Sequence, residues 1–405
     1  MISSKPSIRA FYEVLGLKGK MSKIKTMIIV QPYVPKYRFQ FFARLVDVLA
    51  ESNINCRVAA AMPVDQQASR GDAVNADWII PIRQQQLHLA GHTITLGGAS
   101  RTWSGADGVI VGHLGSSLDT YRAILDARLR GRFRVGLWGH IKSYVADSHP
   151  LDAALERWQL RQADHVFAYS PGGAAYAASV GVLPRRLTTV MNSVDTHTLS
   201  QARTVLTETA VAQFMSHHGL SSGRTLGFIG GLDESKRISF IAAALDRLWA
   251  TDPDLRLLVG GSGSQSSLLD DSVSRGQTIR LGYAGPSEQA LIGRAASALI
   301  MPGRIGLVAV DALLLKLPIL TTDWSYHSAE AEYLTEGTTR FTAKDDLDSY
   351  VTLIQSFMRG PGTSKILDEG NTWNYPTIDN MVANFSSGVL TMLSSGTALS
   401  KHQDP

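Results

Sequence analysis

Short apolar runs alternate with amphipathic stretches along most of this chain. Residues between Leu118 and Leu129 show the spacing of a helix, with Ser116 or Ser117 as its candidate cap. Strands that alternate with helices are joined by right-handed crossovers into a parallel sheet, buried on both faces. The strands predicted in the first half are Met27–Val30, Asn55–Ala60, Asp107–Val111, Phe133–Trp138 and His165–Tyr169.

A polar stretch from about Thr196 to Gly223 interrupts this rhythm, which then restarts. We therefore predict an α/β chain of two Rossmann-like, doubly wound parallel-sheet domains that face a central cleft. The N-terminal domain covers residues 21–200 and the C-terminal domain residues 201–370, followed by closing helices (Trp373–Leu393) and a tail over 371–405. Strands predicted in the second half are Thr225–Ile229, Leu255–Val259, Thr278–Leu281, Ala298–Met301 and Pro318–Thr321.

Residues 1–20 form a leader of uncertain structure. Their apolar residues could lie on a membrane or on the domain as a short helix, or the segment could be dispensable. The leader lacks the order of features of a signal peptide, and no apolar run approaches the roughly 20 residues that cross a bilayer. Cys56 is the single cysteine of the 405 residues, which excludes a disulfide framework. We expect a cytoplasmic protein.

Positive charge is concentrated in the first half of the chain. Residues 1–200 carry 23 Lys and Arg against 14 Asp and Glu, whereas residues 201–405 carry 16 against 21. A basic half favours anionic partners such as phosphates or a membrane surface, unless the asymmetry is a chance difference between domains. Nucleic acid is not expected, because the basic residues are not interleaved with aromatic platforms.

Ligands bind beyond the carboxyl ends of the strands in open parallel sheets. Pro302-Gly303-Arg304-Ile305-Gly306 occupies such a position, before an apolar helical run from Leu307 to Leu315. Glycines let the backbone approach a phosphate, and free N–H groups at a helix start attract anions. Asp311, one turn into the helix, can accept hydrogen bonds from ribose hydroxyls. An ordinary strand–turn–helix corner is the alternative.

Two other glycine-rich segments follow strands of the second half. Lys236 and Arg237, after Gly230-Gly231, open the next predicted helix, where the helix dipole disfavours cations. A diphosphate at the same place would favour both cations, whereas two solvated charges are the alternative. Gly261, in Gly260-Gly261-Ser262-Gly263, can pass close to a nucleotide base or form a plain turn.

The first half offers candidates for the opposite wall of the cleft. His140 and His113 each end a predicted strand, although lone histidines are more often structural. Tyr33, Lys36 and Arg38 follow the first strand and can line an acceptor pocket with positive charge.

No metal site is predicted. Asp252-Pro253-Asp254 precedes its strand, at the wrong edge of the sheet, and Asp346-Leu347-Asp348 has the pattern of a helix start. The chain also lacks a dinucleotide fingerprint, which argues against a dehydrogenase, and it lacks G-x-S-x-G and H-E-x-x-H motifs.

Taken together and in order, these segments resemble the GT-B glycosyltransferases, specifically the retaining family called GT4, from about residue 27 to 393. Met301–Ala312 is similar to the donor motif Pro-Ser-x-x-Glu-Gly-Phe-Gly-Leu-x-x-x-Glu-Ala, and Pro318–Thr322 continues the match. Gly230–Lys236 resembles the Gly-Arg-Leu-x-x-x-Lys segment. Asp164–Ser170 and Met191–Asp195 resemble the interdomain Ala-Asp…Ser and Asn-Gly-Val-Asp segments.

The resemblance implies roles for individual residues. Lys236 matches the lysine that contacts the donor diphosphate, and Asp311 matches the glutamate that binds the ribose. His140 matches the histidine near the donor sugar and the acceptor, so His140 and Lys236 are the implied catalytic residues. Gly306 and Leu307 match the loop and helix start over the phosphates.

Three positions depart from the family pattern. The first motif glutamate, which contacts the donor hexose, falls on Gly303, and the arginine before the phosphate lysine falls on Gly231. The second glutamate is shortened to Asp311. We hypothesise that Arg304, Arg237 or both supply the lost positive charge.

The resemblance implies an enzyme that transfers a hexose-type sugar from a nucleoside diphosphate sugar to an acceptor hydroxyl, with retention and without a cofactor or metal. The basic first half fits a sugar or lipid-linked anionic acceptor at the inner face of the membrane, in polysaccharide or glycolipid assembly. A non-catalytic sugar-nucleotide-binding protein and a nucleotide-sugar epimerase are the alternatives.

Overall fold

The structure is a computed structural model that describes residues 23–63, 72–89, 92–131, 133–144, 150–360 and 373–394. The predicted leader over residues 1–20 and the last part of the predicted tail, residues 395–405, lie outside the described residues. None of the described helices is long and apolar enough to cross a membrane.

The first half forms a parallel sheet of seven strands in the order β3-β2-β1-β6-β7-β8-β9. All five predicted strands are confirmed within one or two residues, whereas β3, β9 and the antiparallel hairpin β4-β5 were not predicted. The strands are β1 (Lys25–Gln31), β2 (Ile54–Ala60), β3 (Ile79–Pro81), β4 (Gln84–Leu89), β5 (His92–Gly97), β6 (Gly108–Gly112), β7 (Arg134–Gly139), β8 (His165–Ala168) and β9 (Leu187–Thr189).

The second half forms a parallel sheet of six strands in the order β12-β11-β10-β13-β14-β15. Its five predicted strands are also confirmed, and β15 is an additional edge strand. The strands are β10 (Thr225–Ile229), β11 (Arg256–Gly260), β12 (Thr278–Gly282), β13 (Ala298–Ile300), β14 (Ile319–Thr322) and β15 (Arg340–Ala343).

Helices cover both sheets. They are α1 (Lys36–Glu51), α2 (Leu118–Arg130), α3 (Pro150–Gln162), α4 (Pro171–Ser179), α5 (Thr196–Val205), α6 (Glu208–His217), α7 (Ile238–Thr251), α8 (Asp270–Ser274), α9 (Pro286–Ala295), α10 (Val308–Leu315), α11 (Leu347–Arg359) and α12 (Ile378–Ser394). The polar stretch after Thr196 is thus helical, because Asp195 and Thr207 cap α5 and α6 with their side chains.

Helix α12 returns from the end of the described chain to the first domain. Its residues Met381, Phe385 and Val389 are fully buried in one core with Phe41 and Trp138. The C-terminal domain has a separate core, centred on β10, β11 and β13. The closing helix therefore belongs to the core of the N-terminal domain.

The two sheets share a strand order that determines where a ligand can bind. In each sheet the chain first adds strands on one side of the first strand and then on the other side. Strands β1 and β6 are therefore adjacent, as are β10 and β13, while the crossovers that follow the two strands of a pair lead to opposite sides of the sheet. Such a switch point opens a crevice at the carboxyl ends of the strands. The loops after β10 and β13 therefore meet at the switch point of the C-terminal sheet.

Candidate active site between the two domains

Lys236 lies in the loop after β10. Asp233 starts a 3-10 turn, Glu234–Lys236, by accepting a hydrogen bond from the Ser235 N–H at 2.9 Å. The Lys236 ammonium group donates to the carbonyl oxygen of Arg304, in the loop after β13. Burial lowers the pKa of Lys236 to about 8, although the Asp233 carboxylate acts against that shift. This lysine therefore joins the two loops of the switch point.

Glycines allow the neighbouring loops to touch through their backbones. A Cβ on Gly303 would lie 2.5 Å from the carbonyl carbon of Lys236, and one on Gly261 would lie 1.8 Å from the carbonyl oxygen of Gly230. Neither contact leaves room for a side chain. Gly261 is thus more than a plain turn residue, whereas exposed Gly231 has its nearest contact at 3.1 Å, on the Asp233 carboxylate.

The start of α10 presents backbone donors at the same place. Leu307 is the N-cap of α10, and no side chain caps this helix end. The N–H groups of Gly306, Leu307 and Val308 donate to no described residue, as expected for the first turn of a helix. The Arg304 Nε atom is buried and also has no partner among the described residues. Backbone dipoles and a guanidinium thus add to the charge of Lys236.

Arg237 is bound elsewhere. It adopts a left-handed conformation, with φ of 56°, and precedes α7, which begins at Ile238, so neither basic residue opens the helix as predicted. Its guanidinium pairs with Asp345, donates to the Pro302 carbonyl at 3.2 Å and stacks on the Phe240 ring. The Arg237 guanidinium is thus already paired, whereas Arg304 has an unpaired nitrogen, and the role of either as the compensating cation stays a prediction.

Asp311 lies one turn into α10, as predicted. Its half-buried carboxyl makes no hydrogen bond or ion pair with any described residue, and burial raises its pKa to about 7. Because no described residue occupies its oxygens, the Asp311 carboxyl has acceptor positions left for a ligand.

Two of the candidate residues from the N-terminal domain are His140 and Arg38. The His140 ring packs edge-on to Tyr169 at 4.7 Å, and its buried Nδ1 atom has no partner among the described residues. Burial lowers the His140 pKa. Arg38 is buried between the rings of Trp138 and Tyr169, so it does not line an open pocket as predicted.

The other acceptor candidates differ in their surroundings. Tyr33 is buried, whereas exposed Lys36 has its ammonium group 5.7 Å from the ring of Tyr283, in the opposite domain. His113 is buried, and its Nε2 atom lies 3.1 Å from the Glu156 carbonyl oxygen. Burial lowers the pKa of His113 to about 4. The structure gives His113 a partner inside its own domain, and acceptor contact stays a prediction.

Sequence reasoning missed His327 and Glu330. His327 Nδ1 accepts from the Ile305 N–H at 3.2 Å, so its Nε2–H donates to the Thr322 carbonyl at 3.0 Å and fixes the loop before α10. Glu330 is 3% exposed and accepts a hydrogen bond from Asn192 of the other domain. Both residues lie five or more positions beyond their strand, outside the segment in which ligand residues were sought.

Comparisons with known proteins concern the activity class and the fold. Residues 223–359 match the family model described as Glycosyl transferases group 1. Over 181 residues, the chain is 28% identical to a 2-deoxystreptamine glucosyltransferase of Streptomyces kanamyceticus. The aligned region covers 42% of this chain and 46% of that protein. The match thus spans about half the length of this curated relative.

Solved structures resemble more than nine-tenths of this chain. A glycosyltransferase from Rickettsia africae superposes with a TM-score of 0.64 at 11% identity, over 93% of this chain and 100% of that one. Anabaena HepE, in complex with UDP and glucose, superposes with a TM-score of 0.62 at 11% identity, over 91% of this chain and 99% of that one. The chain has the GT-B fold.

The GT-B fold also includes proteins of another activity. A UDP-GlcNAc 2-epimerase from Methanocaldococcus jannaschii superposes with a TM-score of 0.53 at 13% identity, over 92% of this chain and 100% of that one. The sequence matches support sugar transfer, whereas the fold by itself is compatible with either activity.

Proposed function

We propose that this protein is a glycosyltransferase that takes a hexose-type sugar from a nucleoside diphosphate sugar. One observation carries the proposal: Lys236, Arg304 and the unpaired N–H groups at the start of α10 converge at the switch point of the C-terminal sheet. Together they form a site for a diphosphate, with Asp311 placed for the ribose. The name of the Streptomyces relative and the UDP bound to HepE support a sugar nucleotide.

Charge stabilisation is the main catalytic contribution in this proposal. When the bond between the anomeric carbon and the diphosphate breaks, negative charge grows on the leaving diphosphate, which Lys236, Arg304 and the α10 N–H groups stabilise. These groups are fixed before the reaction, and their positive charge makes a metal unnecessary. His140 lies on the opposite domain, where it would border the sugar and the acceptor.

The finer assignments extend the same proposal. We expect retention of the anomeric configuration, as in the GT4 family. The excess of basic residues in the first half favours an anionic or lipid-linked acceptor, which would place the protein in the cytoplasm at the inner face of the membrane. Polysaccharide or glycolipid assembly is the corresponding process.

Binding measurements test the diphosphate site. We expect one of UDP, GDP or dTDP to raise the melting temperature, because a ligand of the folded state stabilises it. Lys236→Ala and Arg304→Ala should each weaken that binding by about tenfold or more, since a charge-assisted hydrogen bond contributes about 1.5–3 kcal/mol. Lys344→Ala, an exposed lysine of the same domain, is the control. Unchanged affinity in both site variants would contradict the proposal.

Epimerisation is the second candidate, favoured by the fold shared with the 2-epimerase. Incubation of the protein with the sugar nucleotide that it binds separates the two activities. A transferase releases the nucleoside diphosphate when an acceptor is added, whereas an epimerase converts the sugar without one. Binding without either reaction would indicate a non-catalytic protein.

A further inference from the structure

Gly303 lies at the position where the donor motif of the GT4 family has its first glutamate. The surrounding backbone leaves no room for a side chain at that position. Gly303 lies against Lys236 and Ser235 so closely that a Cβ would be 2.6 Å from both of their carbonyl oxygens. No side chain fits there without moving the loop. If a carboxylate contacts the donor sugar, it would therefore have to come from another segment of the chain.

Glu330 lies in the 3-10 turn Ala329–Tyr333, between the two domains. Its Oε1 atom accepts a hydrogen bond from the Asn192 side chain, whereas its Oε2 atom accepts none from any described residue. The carboxylate is within charge-interaction range of Lys236, His140 and Arg38. It thus borders both the cation that we assign to the diphosphate and the histidine of the opposite domain.

One oxygen of the Glu330 carboxylate is thus left to accept a hydrogen bond from solvent or from a ligand. Burial of a charged group is unfavourable unless opposite charges and hydrogen bonds compensate for it. Glu332, two residues further on, is exposed, and both of its oxygens are occupied, because it accepts from the Tyr144 hydroxyl and from the Gly172 N–H at 2.7 Å. Glu330 differs from Glu332 in having an oxygen left for a ligand.

We propose that Glu330 binds the hydroxyl groups of the donor's sugar, in place of the carboxylate that Gly303 cannot provide. This inference rests on the proposed function, since it needs a sugar nucleotide on Lys236. It also names the class of donor: a neutral sugar with free hydroxyls, because a uronic acid would place a second carboxylate beside Glu330.

The test compares each nucleoside diphosphate with its sugar nucleotide. We expect Glu330→Gln to leave the Kd of UDP, GDP or dTDP within about twofold. The same variant should raise the Kd of UDP-glucose, GDP-mannose or dTDP-glucose by about tenfold or more, because it loses a charged acceptor. Glu332→Gln, on the same turn, is the matched control and should change neither constant by more than about twofold. Isothermal titration calorimetry gives both values.

The possible results distinguish this inference from the proposed function. An equal loss for the nucleoside diphosphate and its sugar would assign Glu330 to domain positioning and overturn the inference, as would no loss for either. Failure of the wild-type protein to bind any of these nucleotides would overturn the proposed function itself. If Glu330→Gln does not fold, Glu330→Asp keeps the charge but withdraws the carboxylate, and a selective loss for the sugar nucleotide is again expected.

Discussion

Asp311 and Lys236 show, at the scale of single residues, how burial changes the charge of groups in the proposed site. Burial raises the pKa of the Asp311 carboxyl to about 7 and lowers that of the Lys236 ammonium to about 8, so both shifts disfavour the charged form. Opposite shifts of two groups near one loop are typical of functional sites. A ligand that pairs with both groups recovers the free energy that their burial costs.

Sugar-nucleotide affinity should consequently depend on pH with a maximum between about 7 and 8. Below that range Asp311 is protonated and loses acceptor capacity, and above it Lys236 loses the charge that holds the diphosphate. A sugar nucleotide is the right probe, since its diphosphate has no ionisation near neutral pH. Titration calorimetry from pH 6 to 9 measures the profile. Asp311→Asn should flatten the acid side of this pH profile, and Lys236→Arg should flatten its basic side. A wild-type affinity that does not change with pH would contradict the roles assigned to Asp311 and Lys236.

The sequence could point to Lys236, but it could not choose between the neighbouring arginines. Arg237 is drawn away from the site by its left-handed backbone and by Asp345, which lies 108 residues further along the chain. Arg304 donates its backbone N–H to the Ser235 carbonyl, while its buried Nε atom has no partner among the described residues. The local sequence pattern shows which residues near the loop are basic. Contacts with residues distant in the sequence decide which of these basic side chains has hydrogen-bond donors left for a ligand.

At the scale of elements, the loop from Pro302 to Gly306 also separates what the sequence pattern predicts from what only the packing of the chain determines. Strand and helix boundaries followed from hydrophobic patterning, because the parallel strands are buried on both faces. Short edge strands such as β3 and β9 have only three residues each, too few for a pattern to establish. The glycines looked like ligand-binding residues, but the structure shows that Gly303 is also required by a backbone contact within the protein.

Gly303→Ala tests that contact. The added methyl would overlap the Lys236 backbone at 2.5 Å, and backbone cannot move aside as a flexible side chain can. We expect a loss of about 1–3 kcal/mol in the free energy of unfolding, as for other overpacked sites, together with weaker nucleotide binding. In the same loop, Gly306→Ala is the control for stability, because its Cβ would come no nearer than 3.9 Å to Ser328. Urea denaturation of both variants measures the difference, and equal stabilities would show that the loop can relax.

At the scale of the whole molecule, the chain crosses between the domains a second time. Helix α12 follows the C-terminal domain but completes the core of the N-terminal one, where Phe385 stacks on Phe167 at 4.6 Å and meets Trp138 edge-on at 5.0 Å. The apolar pattern predicted a closing helix without indicating which domain it closes. That choice depends on packing between residues more than 200 positions apart, which periodicity does not encode.

Phe385→Ala should therefore destabilise the N-terminal domain, although the residue lies beyond the C-terminal one. Removing a fully buried ring that contacts three other aromatic residues costs about 3–5 kcal/mol. Urea denaturation followed by circular dichroism measures the difference in the free energy of unfolding. Leu390→Ala, on the exposed face of the same helix, should cost far less. If both variants unfold at the same urea concentration, α12 contributes little to that core; if only Phe385→Ala shifts, the end of the described chain stabilises the domain that carries His140, opposite the diphosphate site.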